Sequence, residues 1–373
     1  MRMQLKILQP RPNPEQRNAT LSVAAVALFA GWVFGLSQTA AFAAGMWAFA
    51  VGTAAAVLPV VFYVAVALLI DRYEKEPRWM LAVAFFLGAV VAFVATTQLN
   101  PVSGITAWTP PDVARRLAMA AALKGAWIEE LIKAAALLGL FLWQRNEFDN
   151  TVDGIIYATM VGLGFAMTEN VPKYAAAWVD GTLGSVMFSR GVMSPFSHPM
   201  FTALAGMGLG LAQEKENRVV KVAAPLIGVA LAVGLHVLWN YLANAVVMLP
   251  IFIALIWVVV YQQGRERKLI RLHLAPCVPA GQLSLAELEM LCAWGGRARE
   301  LWTALRSGGL AELGRRERYH QAATKLAFQR WRISREGSRS SAADAKREKA
   351  YLRTIRENRV PRARLAVTGR SAG

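Results

Sequence analysis

Residues 47–70 read WAFAVGTAAAVLPVVFYVAVALLI, a run of 24 residues without a charged side chain. A helix needs about 20 apolar residues to cross the hydrocarbon core of a bilayer, so this run is long enough to span a membrane. Similar runs follow, and the chain is predominantly apolar from residue 21 to residue 262. The sequence therefore predicts an all-α, polytopic bundle of transmembrane helices.

The composition excludes an ordinary soluble domain. Hydrophobic residues make up 55% of the 373 residues and charged residues only 17%, whereas soluble domains contain about 25% charged residues. The positive charge is concentrated in residues 264–373, which contain 24 Lys and Arg and 10 Asp and Glu. Their net charge is +14, out of +17 for the whole chain. We therefore predict a cytoplasmic N-terminal segment at 1–19, a transmembrane domain at 20–263 and a basic, mostly helical cytoplasmic tail at 264–373.

Eight spans follow from the apolar runs. They are predicted at 20–42, 47–70, 79–97, 117–143, 154–177, 194–212, 221–244 and 247–263. Loops rich in Lys and Arg stay in the cytoplasm, and most of these residues lie on the side that carries both termini. The sequence therefore predicts a multi-pass protein with both termini in the cytoplasm.

The tail contains local helix signals. Ser284 and Glu287 form a capping-box pattern ahead of a helix predicted to reach Leu305. The pair Gly308–Gly309 breaks the helical pattern, and further basic helices are predicted to about Arg359. The charge favours contact with anionic lipid, although a solvated regulatory or linker role fits equally well, and nothing indicates specific nucleic-acid binding.

The two cysteines, Cys277 and Cys292, both lie in the tail. They lack the spacing of a metal site, and we expect a reduced cytosolic pair.

Ionisable residues within the predicted spans are the main functional signal. Each costs about 2.5–3.5 kcal/mol or more at bilayer depth, so it needs a functional reason. Counted from the cytoplasmic ends of their spans, the carboxylates and imidazoles of four helices fall at one level, about 21–22 Å deep. The residues concerned, with the Lys and Asn that share their helix faces, are Glu129, Glu130, Lys133, Glu169, His198, His236 and Asn240.

Each of these residues also has a purely structural explanation. A lone buried His often only satisfies a hydrogen bond, Glu129 and Lys133 could neutralise each other, and Asn240 could join two helices. Their common depth favours one shared site instead. Pro195 and Pro199 flank His198, which indicates that its helix begins inside the membrane beside a cavity.

At these residues the sequence resembles the PrsW family of intramembrane proteases, which are related to the CAAX-processing and bacteriocin-immunity proteases. The resemblance covers about residues 50–245. It rests on Glu129-Glu130-x-x-Lys133, Asp153-Gly154, Gly162-x-Gly164-Phe165-Ala-x-x-Glu169-Asn170, Arg190, His198 with Gly206, Gly208 and Gly210, and His236-x-x-Trp239-Asn240. It implies a peptidase in a bacterial inner membrane that acts on membrane-embedded or membrane-tethered proteins.

The resemblance also implies residue roles. In the CAAX relatives the glutamate that matches Glu129 activates water, and the residues that match His236 and Asn240 stabilise the oxyanion. Those relatives have histidine where this chain has Glu169, which leaves the use of a metal open.

Two mechanisms follow as hypotheses. In the first, Glu169, His198 and His236 bind zinc, Glu129 or Glu130 is the general base, Lys133 orients the glutamates and Asn240 binds the oxyanion. The second needs no metal: a glutamate is the base, and His236 and Asn240 donate to the oxyanion. A transporter or proton relay is a candidate of another class, and a pure scaffold is a third. The depth of the site predicts cleavage near the outer side of the bilayer.

Overall fold

The computed structural model of the chain describes residues 30–33, 44–71, 73, 75–99, 111–145, 148, 150–193, 197–242, 245–336 and 342–359. Among these residues the regular structure is helical and no strand occurs, as the sequence predicts. The chain divides into two compact units. The membrane unit is Met1–Leu69 with Glu76–Phe252, and the tail unit is Ile70–Lys75 with Ile253–Gly373.

The helices of the membrane unit follow the predicted spans from the second onward. They are α1 Met46–Ile70, α2 Arg78–Leu99, α3 Pro111–Trp143, α4 Thr151–Val179, α5 Leu183–Phe188, α6 Ser197–Glu214, α7 Arg218–Leu242 and the first turns of α8, Ala245–Leu274. A π-helical segment, Leu87–Ala92, interrupts α2, and another, Ser189–Met193, follows α5. The predicted span at 20–42 lies outside the described residues except for 30–33, which are helical.

Four helices among the described residues are long and apolar enough to cross a membrane, namely α1, α2, α4 and Arg218–Tyr241 of α7. Helix α3 is long enough to cross a membrane but not apolar enough. Its middle contains four charged residues, Lys124, Glu129, Glu130 and Lys133. Helix α6 has only 18 residues. The charges that make α3 a poor membrane span by composition are therefore the ones that the sequence assigns to a site.

Helix α4 is the centre of the membrane unit. In its most apolar stretch 89% of the residues are buried, against 17% in α1 and 22% in α7. Glycines allow its neighbours to come this close: a Cβ on Gly154 would lie 2.1 Å from the carbonyl oxygen of Gly206 on α6. Likewise, a Cβ on Gly164 would lie 2.0 Å from the carbonyl oxygen of Phe85 on α2. Contact at backbone distance holds α4 between α2 and α6.

The first turn of α4 is fixed by a local cap. The side chain of Asn150 accepts hydrogen bonds from the backbone N–H groups of Val152 and Asp153, and Asp153 accepts one from the backbone of Asn150. This reciprocal cap sets the first turn of α4. Helix α6 is described from Ser197, and His198 and Pro199 lie in its first described turn. Its start inside the membrane stays a prediction, because residues 194–196 lie outside the described residues.

The tail unit has its own helices and apolar core. Helix α9 is Leu285–Cys292, α10 is Gly296–Glu336 and α11 is Ala342–Asn358. The capping box of Ser284 and Glu287 is confirmed, and Gly309 breaks the helical backbone at φ 64°. The single helix predicted from Ser284 to Leu305 is wrong. It stops at Cys292, because Ala293 is extended and Gly295 has φ 71°.

Several contacts explain why the tail unit is compact despite its charge. Although burial alone would raise the pKa of Glu287, hydrogen bonds from Arg359 and Ser284 lower it. Cys277 and Cys292 are both buried and form no disulfide with each other. Tyr73 joins the core of this unit from the short segment Ile70–Lys75.

The close approach of α4 and α6 can be tested with Gly206→Ala. The new methyl group would overlap the carbonyl oxygen of Gly154, and we expect a loss of about 1–3 kcal/mol of stability. Thermal unfolding of the purified protein in detergent measures it. Gly139→Ala in α3 is the matched control, since its Cβ meets nothing within 4 Å. Equal unfolding temperatures for the two variants would contradict the packing argument.

Candidate active site

Helices α3, α4, α6 and α7 bring the predicted ionisable side chains together. Helix α3 contributes two glutamates and a lysine, α4 a third glutamate, and α6 and α7 one histidine each. The contacts between them are direct: His198 Nε2 lies 2.8 Å from Glu169 Oε2, and His236 Nδ1 lies 2.9 Å from Glu130 Oε1. These are contacts between residues 29 and 106 positions apart in the chain.

The adjacent glutamates of α3 have different surroundings. Glu130 is buried, and it accepts hydrogen bonds from Lys133 Nζ at 2.6 Å and from the Thr202 hydroxyl at 3.4 Å. Glu129 is 3.9 Å from Lys133 Nζ, beyond hydrogen-bonding distance. The lysine therefore hydrogen-bonds to Glu130, and it forms a longer ion pair with Glu129 at the i, i+4 spacing.

Lys133 is the central cation of the cluster. Its ammonium group lies 3.1 Å from His198 Nδ1 and 4.3 Å from the centre of the Phe165 ring. An ammonium group only donates, so His198 Nδ1 must accept, and the imidazole proton lies on Nε2 facing Glu169. Similarly, His236 carries its proton on Nδ1, which faces the Glu130 carboxylate.

Glu169 is held by two further cations. Lys173 donates to one carboxylate oxygen, and Arg190 Nη2 donates to the other at 3.2 Å. Arg190 also donates through Nε to Asn170 Oδ1 at 2.6 Å. Sequence reasoning did not identify these partners, although Lys173 follows Glu169 at the i, i+4 spacing of a helical ion pair.

Glu129 has the one buried carboxylate oxygen of the cluster without a hydrogen bond. This atom, Oε2, lies 3.8 Å from His198 Nδ1, 3.9 Å from His236 Nε2 and 3.9 Å from Lys133 Nζ. One ligand atom from each of these three residues lies within 4.8 Å of the other two. Among the described residues, the group that could hold a metal thus contains Glu129, whereas the sequence prediction has Glu169 in its place.

A cavity of about 520 Å³ adjoins the cluster. It is lined by α1, α4, the segment around Arg190, α6 and α7, and its polar lining includes Glu169, Asn170, Arg190, His198, His236 and Asn240. Asn240 donates one amide hydrogen bond to the carbonyl oxygen of Ala122 at 3.0 Å. An amide NH₂ group has two donors, so a second one remains for a ligand in the cavity.

The arrangement joins a carboxylate oxygen that has no hydrogen bond, two imidazoles held by carboxylates and a cavity. Hydrogen bonds occupy both oxygens of Glu130 and of Glu169, whereas Oε2 of Glu129 is available for a proton or a metal. These are the components of water activation, by a base or by a bound metal ion.

Comparisons with known proteins identify a family of similar proteins. A family model described as PrsW family intramembrane metalloprotease matches residues 76–262. A relative named Protease PrsW from Oceanobacillus iheyensis is 26% identical over 215 residues, which are 52% of this chain and 88% of the relative. The protein of the same name from Bacillus subtilis is 25% identical over 50% of this chain and 82% of its own length. The protein of the same name from Geobacillus kaustophilus is 28% identical over 38% of this chain and 58% of its own length. No solved structure matches.

The central role of Lys133 can be tested with Lys133→Met. The side chain is 0% exposed, and its loss leaves the buried Glu130 carboxylate without its cation, so we expect a loss of about 3–5 kcal/mol. Thermal unfolding in detergent measures the change. Lys173→Met is the control, because that side chain is 40% exposed and Glu169 keeps Arg190 and His198. A milder effect of Lys133→Met than of the control would contradict the assignment.

Proposed function

Since this chain belongs to the PrsW family of intramembrane metalloproteases, we propose that it hydrolyses peptide bonds of membrane-embedded or membrane-tethered proteins at the cluster on α3, α4, α6 and α7. The proposal rests on the buried Oε2 of Glu129, which has no hydrogen-bond partner. Its distances of 3.8 and 3.9 Å to His198 and His236 are too long for hydrogen bonds. These three residues could therefore hold a metal ion or a water molecule.

A divalent metal such as zinc fits this trio. Two histidines and one glutamate are a known zinc donor set, and Glu129, His198 and His236 would hold the ion. The other nitrogen of each imidazole meets a carboxylate, Glu169 or Glu130, as is usual for metal-bound histidine. When bound, the metal would polarise the scissile carbonyl and lower the pKa of a bound water.

In this proposal Glu169 has a different role from the one predicted. It orients His198 and does not bind the metal itself, because Lys173 and Arg190 already occupy its oxygens. Glu130 orients His236 in the same way, and Lys133 fixes Glu130.

One contact favours a second, metal-free candidate. The ammonium group of Lys133 is 3.1 Å from His198 Nδ1, the nitrogen that would bind the metal. In this candidate Glu129 takes a proton from water while the water oxygen bonds to the scissile carbonyl carbon. Asn240, and His236 when its Nε2 also carries a proton, donate hydrogen bonds to the oxyanion. The C–N bond then breaks, and the proton passes from Glu129 to the leaving amine.

We further propose the membrane arrangement that the sequence predicts. The transmembrane domain, 20–263, crosses a bacterial inner membrane eight times with both termini in the cytoplasm. Helices at seven of the eight predicted spans support this count, as does the bacterial origin of the relatives. The basic tail, 264–373, lies in the cytoplasm and contacts anionic lipid. A transporter, proton-relay or scaffold role is not favoured, since the family consists of proteases.

The role of Glu129 can be tested with Glu129→Gln in lipid nanodiscs that contain a membrane-tethered reporter. We expect cleavage to fall by about 10²–10⁴-fold, with little change in unfolding temperature because Oε2 has no hydrogen bond to lose. The exposed Glu216→Gln is the control. Product masses locate the scissile bond, which we expect near the outer side of the bilayer. Wild-type cleavage by Glu129→Gln would refute the role of this carboxylate.

Metal content distinguishes the two ligand sets and the metal-free candidate. We expect about one zinc per chain in purified protein, none in His198→Ala or His236→Ala, and zinc bound about 10–100-fold more weakly in Glu169→Gln. Elemental analysis and chelator titration give these values. Complete loss of zinc in Glu169→Gln would restore the set predicted from sequence. Cleavage that survives exhaustive chelation, with no metal left, would establish the metal-free candidate.

A further inference from the structure

One face of α8 changes in character along its length. The stretch 245–264 contains no charged residue, and large apolar side chains are exposed along it, among them Ile253, Ile256 and Val260. Trp257 and Tyr261 are also exposed and stack on each other, with ring centres 5.5 Å apart. Aromatic residues at the end of an apolar helix are typical of the boundary between hydrocarbon and head groups.

Basic side chains follow on this face directly after the aromatic pair. Arg265, Lys268 and Arg271 are all exposed, four, seven and ten residues beyond Tyr261. A rise of 1.5 Å per residue puts them about 6, 10 and 15 Å further along the helix axis. The head-group layer on each side of a bilayer is about 5–8 Å thick. The backbone of Arg265 therefore falls within this layer, whereas those of Lys268 and Arg271 lie beyond it, and their long side chains can extend back towards the head groups.

A second element of the tail unit adds to this surface. Arg267 donates through Nε to the carbonyl oxygen of Cys292 at 2.5 Å, and its guanidinium lies 4.7 Å from the centre of the Trp294 ring. Trp294 is 49% exposed although it is held in place. Glu266 is the one acidic residue between 253 and 286, against four Lys and Arg, so this stretch of the chain has a net positive charge.

We propose that Arg265, Lys268 and Arg271, together with Trp294, form a binding site for the phosphate head groups of anionic phospholipids in the cytoplasmic leaflet. The inference rests on the proposed membrane placement of α8 and is independent of the peptidase chemistry. It assigns the lipid contact of the basic tail to one surface. Apolar, aromatic and basic side chains succeed each other on a single helix face, as a lipid requires, whereas a nucleic acid needs no such order.

The experiment uses the full chain purified in detergent and mixed with equal amounts of phosphatidylglycerol and phosphatidylcholine. Native mass spectrometry counts the molecules of each lipid that remain bound. We expect the wild type to retain phosphatidylglycerol preferentially. The preference should fall about fivefold in Lys268→Gln and roughly one hundredfold in the triple variant Arg265→Gln/Lys268→Gln/Arg271→Gln. The single variant, at an exposed position, covers the case in which the triple variant does not fold.

The triple variant Lys346→Gln/Arg347→Gln/Lys349→Gln is the matched control, because it removes the same charge from exposed positions of α11. We expect it to keep the wild-type preference. An equal loss in this control, or full retention in the α8 variants, would overturn the proposal. Displacement of the lipid by inorganic phosphate or by RNA would do so too, since it would identify a different ligand. The readout is lipid retention, so its failure is separate from a failure of cleavage.

Discussion

A charge that is buried among apolar helices must find its partner inside the protein, and this requirement organises the membrane unit. Lys133 has no exposed surface, and its ammonium group contacts Glu130, His198 and the Phe165 ring. Solvation of such a group in hydrocarbon would cost several kcal/mol, so these contacts cannot be exchanged for water. Because they come from three helices, pairing this one cation fixes how α3, α4 and α6 meet.

The same pairing gives the two adjacent glutamates of α3 different surroundings. The oxygens of Glu130 accept hydrogen bonds from Lys133, Thr202 and His236. The Oε2 of Glu129 has no hydrogen bond and lies beside both imidazoles. An unpaired buried carboxylate oxygen is costly, so its presence indicates a group that binds or reacts. One turn of α3 thus carries both a glutamate whose charge is neutralised within the protein, Glu130, and one that is available to bind or react, Glu129.

Small residues make this arrangement possible at the level of the backbone. Helix α4 can lie against α2 and α6 only because Gly154, Gly164 and Gly206 have no side chains to separate the helices. The close packing brings Glu169 within hydrogen-bonding distance of His198. In the tail unit the forces are ordinary ones: a buried apolar core that includes Tyr73 and ion pairs such as Arg359 with Glu287. The membrane unit therefore depends on close helix packing to bring its charged side chains together, whereas the tail unit combines an apolar core with ion pairs.

The sequence by itself determined the helical class, seven of the helix positions and the set of side chains that meet, because apolar length and helical spacing are local properties. It also revealed the caps at Ser284 and the break at Gly309, which depend on neighbouring residues alone. Only the tertiary structure decided that Lys133 hydrogen-bonds to Glu130 and forms only a longer ion pair with Glu129, and that Glu169 is bound by Lys173 and Arg190. Both glutamates of α3 lie within reach of Lys133 along the helix. The choice between them depends on Thr202 and His236, which are 72 and 106 residues from Glu130 and come close only when the helices pack.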